Sequence, residues 1–209
     1  MFLKNVKFRE SSSPKSPISL AVAIAIMSVG LLTIWGVNVA FADTIVCPPS
    51  PNKCNGTPDP DTMTATSGST IAGYTINGLE GSDTIVANEA SLGGFGHDLT
   101  ANGNDGDDTI TAYKQKGLNL EADGGKGNDR ITLTSPKIDV IIGSGGTGTD
   151  FISASGNVRL GMTLFQNNVA NDRDGSKDIL NCNNNPVSKA YISVADGDIA
   201  LNCKTVIKN

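Results

Sequence analysis

Residues 124–132 read GGKGNDRIT, and residues 145–153 read GGTGTDFIS. The same frame governs 103–111, GNDGDDTIT, and 78–86, GLEGSDTIV. Aligned on Asp83, Asp108, Asp129 and Asp150, the copies lie 25, 21 and 21 residues apart. A glycine stands five residues before each Asp (Gly78, Gly103, Gly124, Gly145) and another two before it (Gly81, Gly106, Gly127, Gly148). Two residues after each Asp comes an isoleucine: Ile85, Ile110, Ile131 and Ile152. Nine before it stands an apolar residue: Tyr74, Leu99, Leu120 and Ile141.

A repeat of this length is the signature of a solenoid, because one unit cannot bury its apolar face without neighbours. Each Asp opens a strand whose inward positions follow a period of two. The positions four after the Asp, namely Ala87, Ala112, Leu133 and Ala154, continue that inward face. A second strand, centred on the apolar residue nine before the Asp, returns across the coil. Two short strands per repeat of about 21 residues therefore predict an all-β, right-handed parallel β-helix of the flattened β-roll kind. Its coils stack at the ~4.8 Å spacing of paired strands.

Stacking lines up the aspartates. Carboxylates roughly 5 Å apart repel by about 0.8 kcal/mol in water, and several-fold more at a lower effective dielectric. Residues 78–150 hold twelve acidic and five basic residues. Such an edge needs hydrogen-bond donors or cations. Carboxylate and carbonyl oxygens suit Ca2+, which takes six to eight oxygen ligands, better than Mg2+, which holds its waters and demands tighter geometry.

The pattern GGxGxDxUx, with U a large apolar residue, resembles the hemolysin-type calcium-binding (RTX) repeats. GGKGNDRIT and GGTGTDFIS fit it throughout. GNDGDDTIT lacks the second glycine, GLEGSDTIV has Leu79 there, and GGFGHDLTA (93–101) has Thr100 at the apolar position. The resemblance implies ions held between stacked loops by carboxylates of Asp83, Asp108, Asp129 and Asp150, with Asp98 less secure. Loop carbonyls would join them, from Gly78, Gly81, Gly103, Gly106, Gly124, Gly127, Gly145 and Gly148. The opposite turns (YKQKG, TSPK, SASGN) lack the motif, so a single row of about three ions is expected. The competing reading has each Asp cap backbone N–H groups at its turn with no ion present. Glu80, Asp105, Asp107 and Asp123 read as local charge.

The N-terminus is a separate piece. Lys4, Lys7, Arg9 and Lys15 precede twenty uncharged residues (18–37), and the segment closes on Ala40-Phe41-Ala42 before Asp43. This reads as an export signal cleaved between Ala42 and Asp43. The apolar run is also long enough to remain as a membrane anchor. In either case the rest of the chain is secreted or displayed at the cell surface. Four cysteines agree with an oxidising destination. Sequence proximity favours Cys47 with Cys54 and Cys182 with Cys203 among three connectivities. Asn55-Gly56-Thr57 fits a glycosylation acceptor.

The predicted organisation is an export segment over 1–42, a proline-rich linker with a small Cys loop over 43–66, the β-roll over 67–165, and a degenerate coil with a disulfide-closed cap over 166–209. From residue 43 onward the net charge is −8, which disfavours nucleic acid. There is no HExxH or phosphate-loop motif, and the single histidine, His97, has no partner motif. No catalytic residue is assigned. The function expected is an exported Ca2+-binding module with a structural or binding role. A polysaccharide-active β-helix enzyme and a metal-independent surface scaffold or adhesin are the rival readings.

Overall fold

A computed structural model describes residues 42–48, 53–65, 73–89, 98–167 and 173–209. The export segment and His97 lie outside the described residues. What is described is an all-β parallel solenoid of about six turns with coils of about 21 residues, and it contains no helix.

One face is built from β1 (Asp43–Val46), β3 (Asp61–Ala65), β5 (Thr84–Glu89) and β7 (Thr109–Lys114). The other carries β2 (Lys53–Asn55), β4 (Tyr74–Glu80), β6 (Leu99–Asp105) and β8 (Gly117–Lys126). β9 (Arg130–Thr147) and β10 (Phe151–Phe165) run over both faces, turning the corner near Ser135 and Gly156. The last coils are formed by β11 (Ile179–Asn181), β12 (Ser188–Ile192), β13 (Ile199–Leu201) and β14 (Thr205–Lys208). Every pairing is parallel and joins a strand to its equivalent one coil away, as in Ile85↔Ile110↔Ile131.

Alternation makes the interior. Along β7 the residues read out, in, out, in, with Ile110 and Ala112 fully enclosed and Thr109 and Thr111 on the surface. β-branched Thr and Ile fit this half-buried pleat. Met63, Ile85, Ile110, Ile131, Ile152 and Leu180 form one buried row; Tyr74, Leu99, Leu120, Ile141 and Met162 face it from the return strands. The two alanine rows keep the coil thin, and volume is conserved where they break. A side chain at Gly143 would press on Leu133, Ile152 and Leu164 at 3.0–3.4 Å, so glycine there makes room for the larger leucines.

One expectation changes: the described parts of residues 43–65 are strands of the solenoid and not a linker. Their strands pair with the coil above them, and Cys47–Cys54 closes the first coil from within, both sulfurs buried. Residues 173–209 continue as coils in register with β10, with Cys182–Cys203 bridging the last two. The disulfides are those that sequence proximity favours. Despite the prolines around it, DTMTA (61–65) forms a strand because its side chains alternate in, out, in, partial, in.

Candidate functional site

The corner at the start of β3, β5, β7, β9, β10 and β11 carries a column of aspartates that is longer than the motif alone suggests. Asp61, Asp83, Asp108, Asp129, Asp150 and Asp178 are all buried, at 1–3 % exposure. Each points inward because it continues the inward alternation of the strand it opens. Asp61 keeps the first glycine of the pattern, Gly56 five residues before it, but not the second, and Asp178 keeps neither. Both lie two residues before a buried row member, Met63 or Leu180, and that spacing is the signal that finds them.

The carboxylates are linked coil to coil. Oδ1 of Asp83 accepts the N–H of Asp61 at 2.7 Å, and the same bond joins Asp108 to Asp83, Asp129 to Asp108, and Asp150 to Asp129. Asp178 caps Asp150 at 2.8 Å, and Asp198 caps Asp178 at 3.0 Å. One oxygen of each acid therefore serves the backbone.

The second oxygen separates the ends of the column from its middle. At the first coil, Oδ2 of Asp61 accepts from the Thr57 N–H (2.6 Å) and hydroxyl (3.1 Å). At the last, Oδ2 of Asp198 accepts the Ser193 N–H at 2.7 Å. Between them, Oδ2 of Asp83, Asp108, Asp129 and Asp150 is buried with no hydrogen-bond partner. The cause lies in the residue four before each Asp. Leu79, Asn104, Gly125 and Gly146 have φ of +80 to +106° and pair with one another through the inter-coil ladder, whereas Thr57 turns its N–H onto its own aspartate.

Both glycine columns follow from this packing. At Gly78, Gly103, Gly124 and Gly145 a Cβ would overlap Oδ2 of the aspartate five residues on. A carbonyl of the next coil closes the same space, that of Gly103, Gly124 and Gly145 for the first three and of Gln166 for Gly145, with Gly103 O 2.7 Å from the Cβ position at Gly78. At Gly106, Gly127 and Gly148, φ is positive and a Cβ would strike the carbonyl of the preceding coil's glycine.

Burial raises the pKa values of these groups. It pushes Asp83 and Asp129 up to about 6, Asp108 to about 7 and Asp150 to about 8, with neighbouring carboxylates adding to the effect and the backbone N–H opposing it. Asp178 rises to about 7 and Asp198 rises as well, again chiefly through burial.

The donors here fit Ca2+ in kind: unpartnered carboxylate oxygens beside glycine carbonyls, with no nitrogen or sulfur ligand. They are sparse in charge. Among the described residues no three acidic, histidine or cysteine side chains gather into a metal-holding group. An ion between coils would thus rely on two carboxylates, carbonyls and water, a set suited to a weak site.

Asp98 falls elsewhere. It precedes β6 at the opposite corner, where its carbonyl accepts the Tyr74 N–H at 2.8 Å. Asp105, Asp107 and Asp123 lie on the outside of the aspartate corner, not in the column. Asp105 pairs with Lys126 at 2.8 Å, and Asp107 accepts the Asn128 N–H at 2.6 Å. Asn55 is exposed, its Oδ1 accepting from Asn77 at 2.9 Å. Asp43 opens β1, with its N 3.3 Å from Asp61 Oδ1.

Comparison of the chain with known protein families, curated proteins and solved structures found no match. The likeness to the hemolysin-type repeats rests on the motif alone.

Proposed function

We propose that the chain is an exported, Ca2+-responsive solenoid, wound right-handed, whose aspartate column takes up calcium ions from the surrounding medium and thereby stiffens a structural or binding module. The observation that carries this reading is the set of four buried Oδ2 atoms without a partner. A buried carboxylate left half-satisfied is costly. Divalent cations between Asp83, Asp108, Asp129 and Asp150 would relieve that cost, supplying positive charge where the backbone supplies only one donor per acid. The carbonyls of Gly103, Gly124 and Gly145 would complete the oxygen shell.

Export is consistent with two disulfides, which persist in oxidising compartments. Cleavage after Ala42 would leave the α-ammonium of Asp43 beside the Asp61 carboxylate, closing the first coil with an ion pair.

A second reading is favoured by the Oδ1 bonds, which cap each backbone N–H without any ion. In that reading the column holds protons instead of metal, and the solenoid is a metal-independent scaffold. Calorimetric titration with CaCl2 and melting in Ca2+ and in chelator separate the two. Heat of binding and a higher Tm in Ca2+ support the first; identical melting and no heat at neutral pH leave the second.

A further inference from the structure

The loop at 78–83 departs from its sister loops most sharply at the residue four before its Asp. Where they place Asn104, Gly125 and Gly146, it places Leu79, with φ +92° and 39 % of its surface exposed. A leucine in the left-handed region is strained, because its Cβ crowds the following carbonyl. Strain of this kind that brings no burial points towards function. The next residue, Glu80, is exposed. This coil therefore presents an exposed apolar and an exposed anionic side chain together at the end of β4, beside Asn104 and Asp105 of the next coil.

The opposite corner of later coils offers the complement. A cleft of about 510 Å3 is lined by Lys116, Leu118, Lys137, Ile138, Asp139 and Arg159. Asp139 is engaged by Arg159, whose Nε and Nη2 donate to its two oxygens at 2.8 and 2.7 Å. Lys116 and Lys137 add two further positive charges in a body that is otherwise acidic. Leu118, 45 % exposed, supplies the apolar wall.

We propose that the Leu79–Glu80 tip of one copy seats in the Lys116–Lys137 cleft of a second copy, the leucine against Leu118 and Ile138 and the glutamate between the lysines. Tip and cleft lie on opposite corners, so a molecule uses one on each side. The contact is heterologous and extends into an open row, since nothing in it closes a ring. It does not depend on metal in the aspartate column.

The test is sedimentation velocity of the full chain from micromolar to millimolar concentration, in Ca2+ and in chelator, with circular dichroism to verify the fold of each variant. The wild type is expected to sediment faster as concentration rises. Glu80→Lys, Lys137→Glu and Leu79→Gly are each expected to weaken association at least tenfold. An equimolar mixture of Glu80→Lys and Lys137→Glu is expected to form pairs, because the unchanged Glu80 tip of the second variant then meets the unchanged Lys116–Lys137 cleft of the first. A wild type that stays monomeric throughout, association unmoved by these substitutions, or a mixture that stays apart would each overturn the proposal.

Discussion

Oδ1 of Asp129 accepts the N–H of Asp108 at 2.7 Å, while Oδ2 of the same carboxylate, packed against Gly124, has no partner. Half of each central aspartate is thus structural and half is unspent.

Stability in chelator is expected to fall as pH rises. Burial raises the folded-state pKa values of Asp83, Asp108, Asp129, Asp150 and Asp178 to between about 6 and about 8. The unfolded chain releases the same protons near 3.9. Between these limits the folded state binds more protons, so the stabilisation is complete below about pH 4 and is lost through the folded pKa values, by about pH 8. Ca2+ is expected to flatten this slope by occupying the deprotonated column. Thermal melts across pH, with and without Ca2+, provide the check.

Asp129→Asn and Asp129→Ala are expected to act in opposite directions at neutral pH in chelator. Asn keeps the Oδ1 acceptor for Asp108 and removes a buried charge, so the metal-free solenoid should hold or gain about 1 kcal/mol while its calcium response shrinks. Ala strands the Asp108 N–H and should cost about 1–3 kcal/mol. Urea unfolding of both variants measures the contrast.

Gly124→Ala is expected to destabilise by about 1–3 kcal/mol or more, because the new methyl overlaps Asp129 Oδ2 and the carbonyl of Gly145. Gly161 is the control. A Cβ there meets nothing within 4 Å, and its φ is outside the left-handed range, so Gly161→Ala should be neutral or slightly stabilising. Equal losses at both positions would refute the packing account.

Leu79→Gly is expected to stabilise the isolated molecule by roughly 0.5–1 kcal/mol, relief of the left-handed leucine outweighing the freedom that glycine gains in the unfolded chain. A lower unfolding midpoint than wild type would show that Leu79 contributes packing that its exposure hides.

Reduction of the disulfides is expected to lower stability by about 2–4 kcal/mol for each bond. Cys47 and Cys54 are both 4 % exposed and fill interior positions of the first coil, so their reduction should fray that end first. Hydrogen exchange at β1 and β2 would report it.

Spacing alone determined the coil. A recurrence of Asp, Ile two residues later and an apolar residue nine before specifies two strands per turn, because a strand's inward positions repeat every second residue and a one-residue slip would expose the whole row. The isoleucine ladder and the alignment of Asp83, Asp108, Asp129 and Asp150 were legible for that reason. Asp98 shows where letters mislead: its loop reads like the others, but pairing of Leu99 with Tyr74 and Leu120 fixes it at the opposite corner. Tertiary structure alone decided which oxygen of each acid meets a donor. That depends on whether the N–H four residues earlier turns inward, as at Thr57, or joins the inter-coil ladder, as at Gly146. It also decided that Asp198 ends the column, capping Asp178, and that a basic cleft stands across from it. Those residues lie far apart along the chain, and only the stacking of whole coils brings them into line.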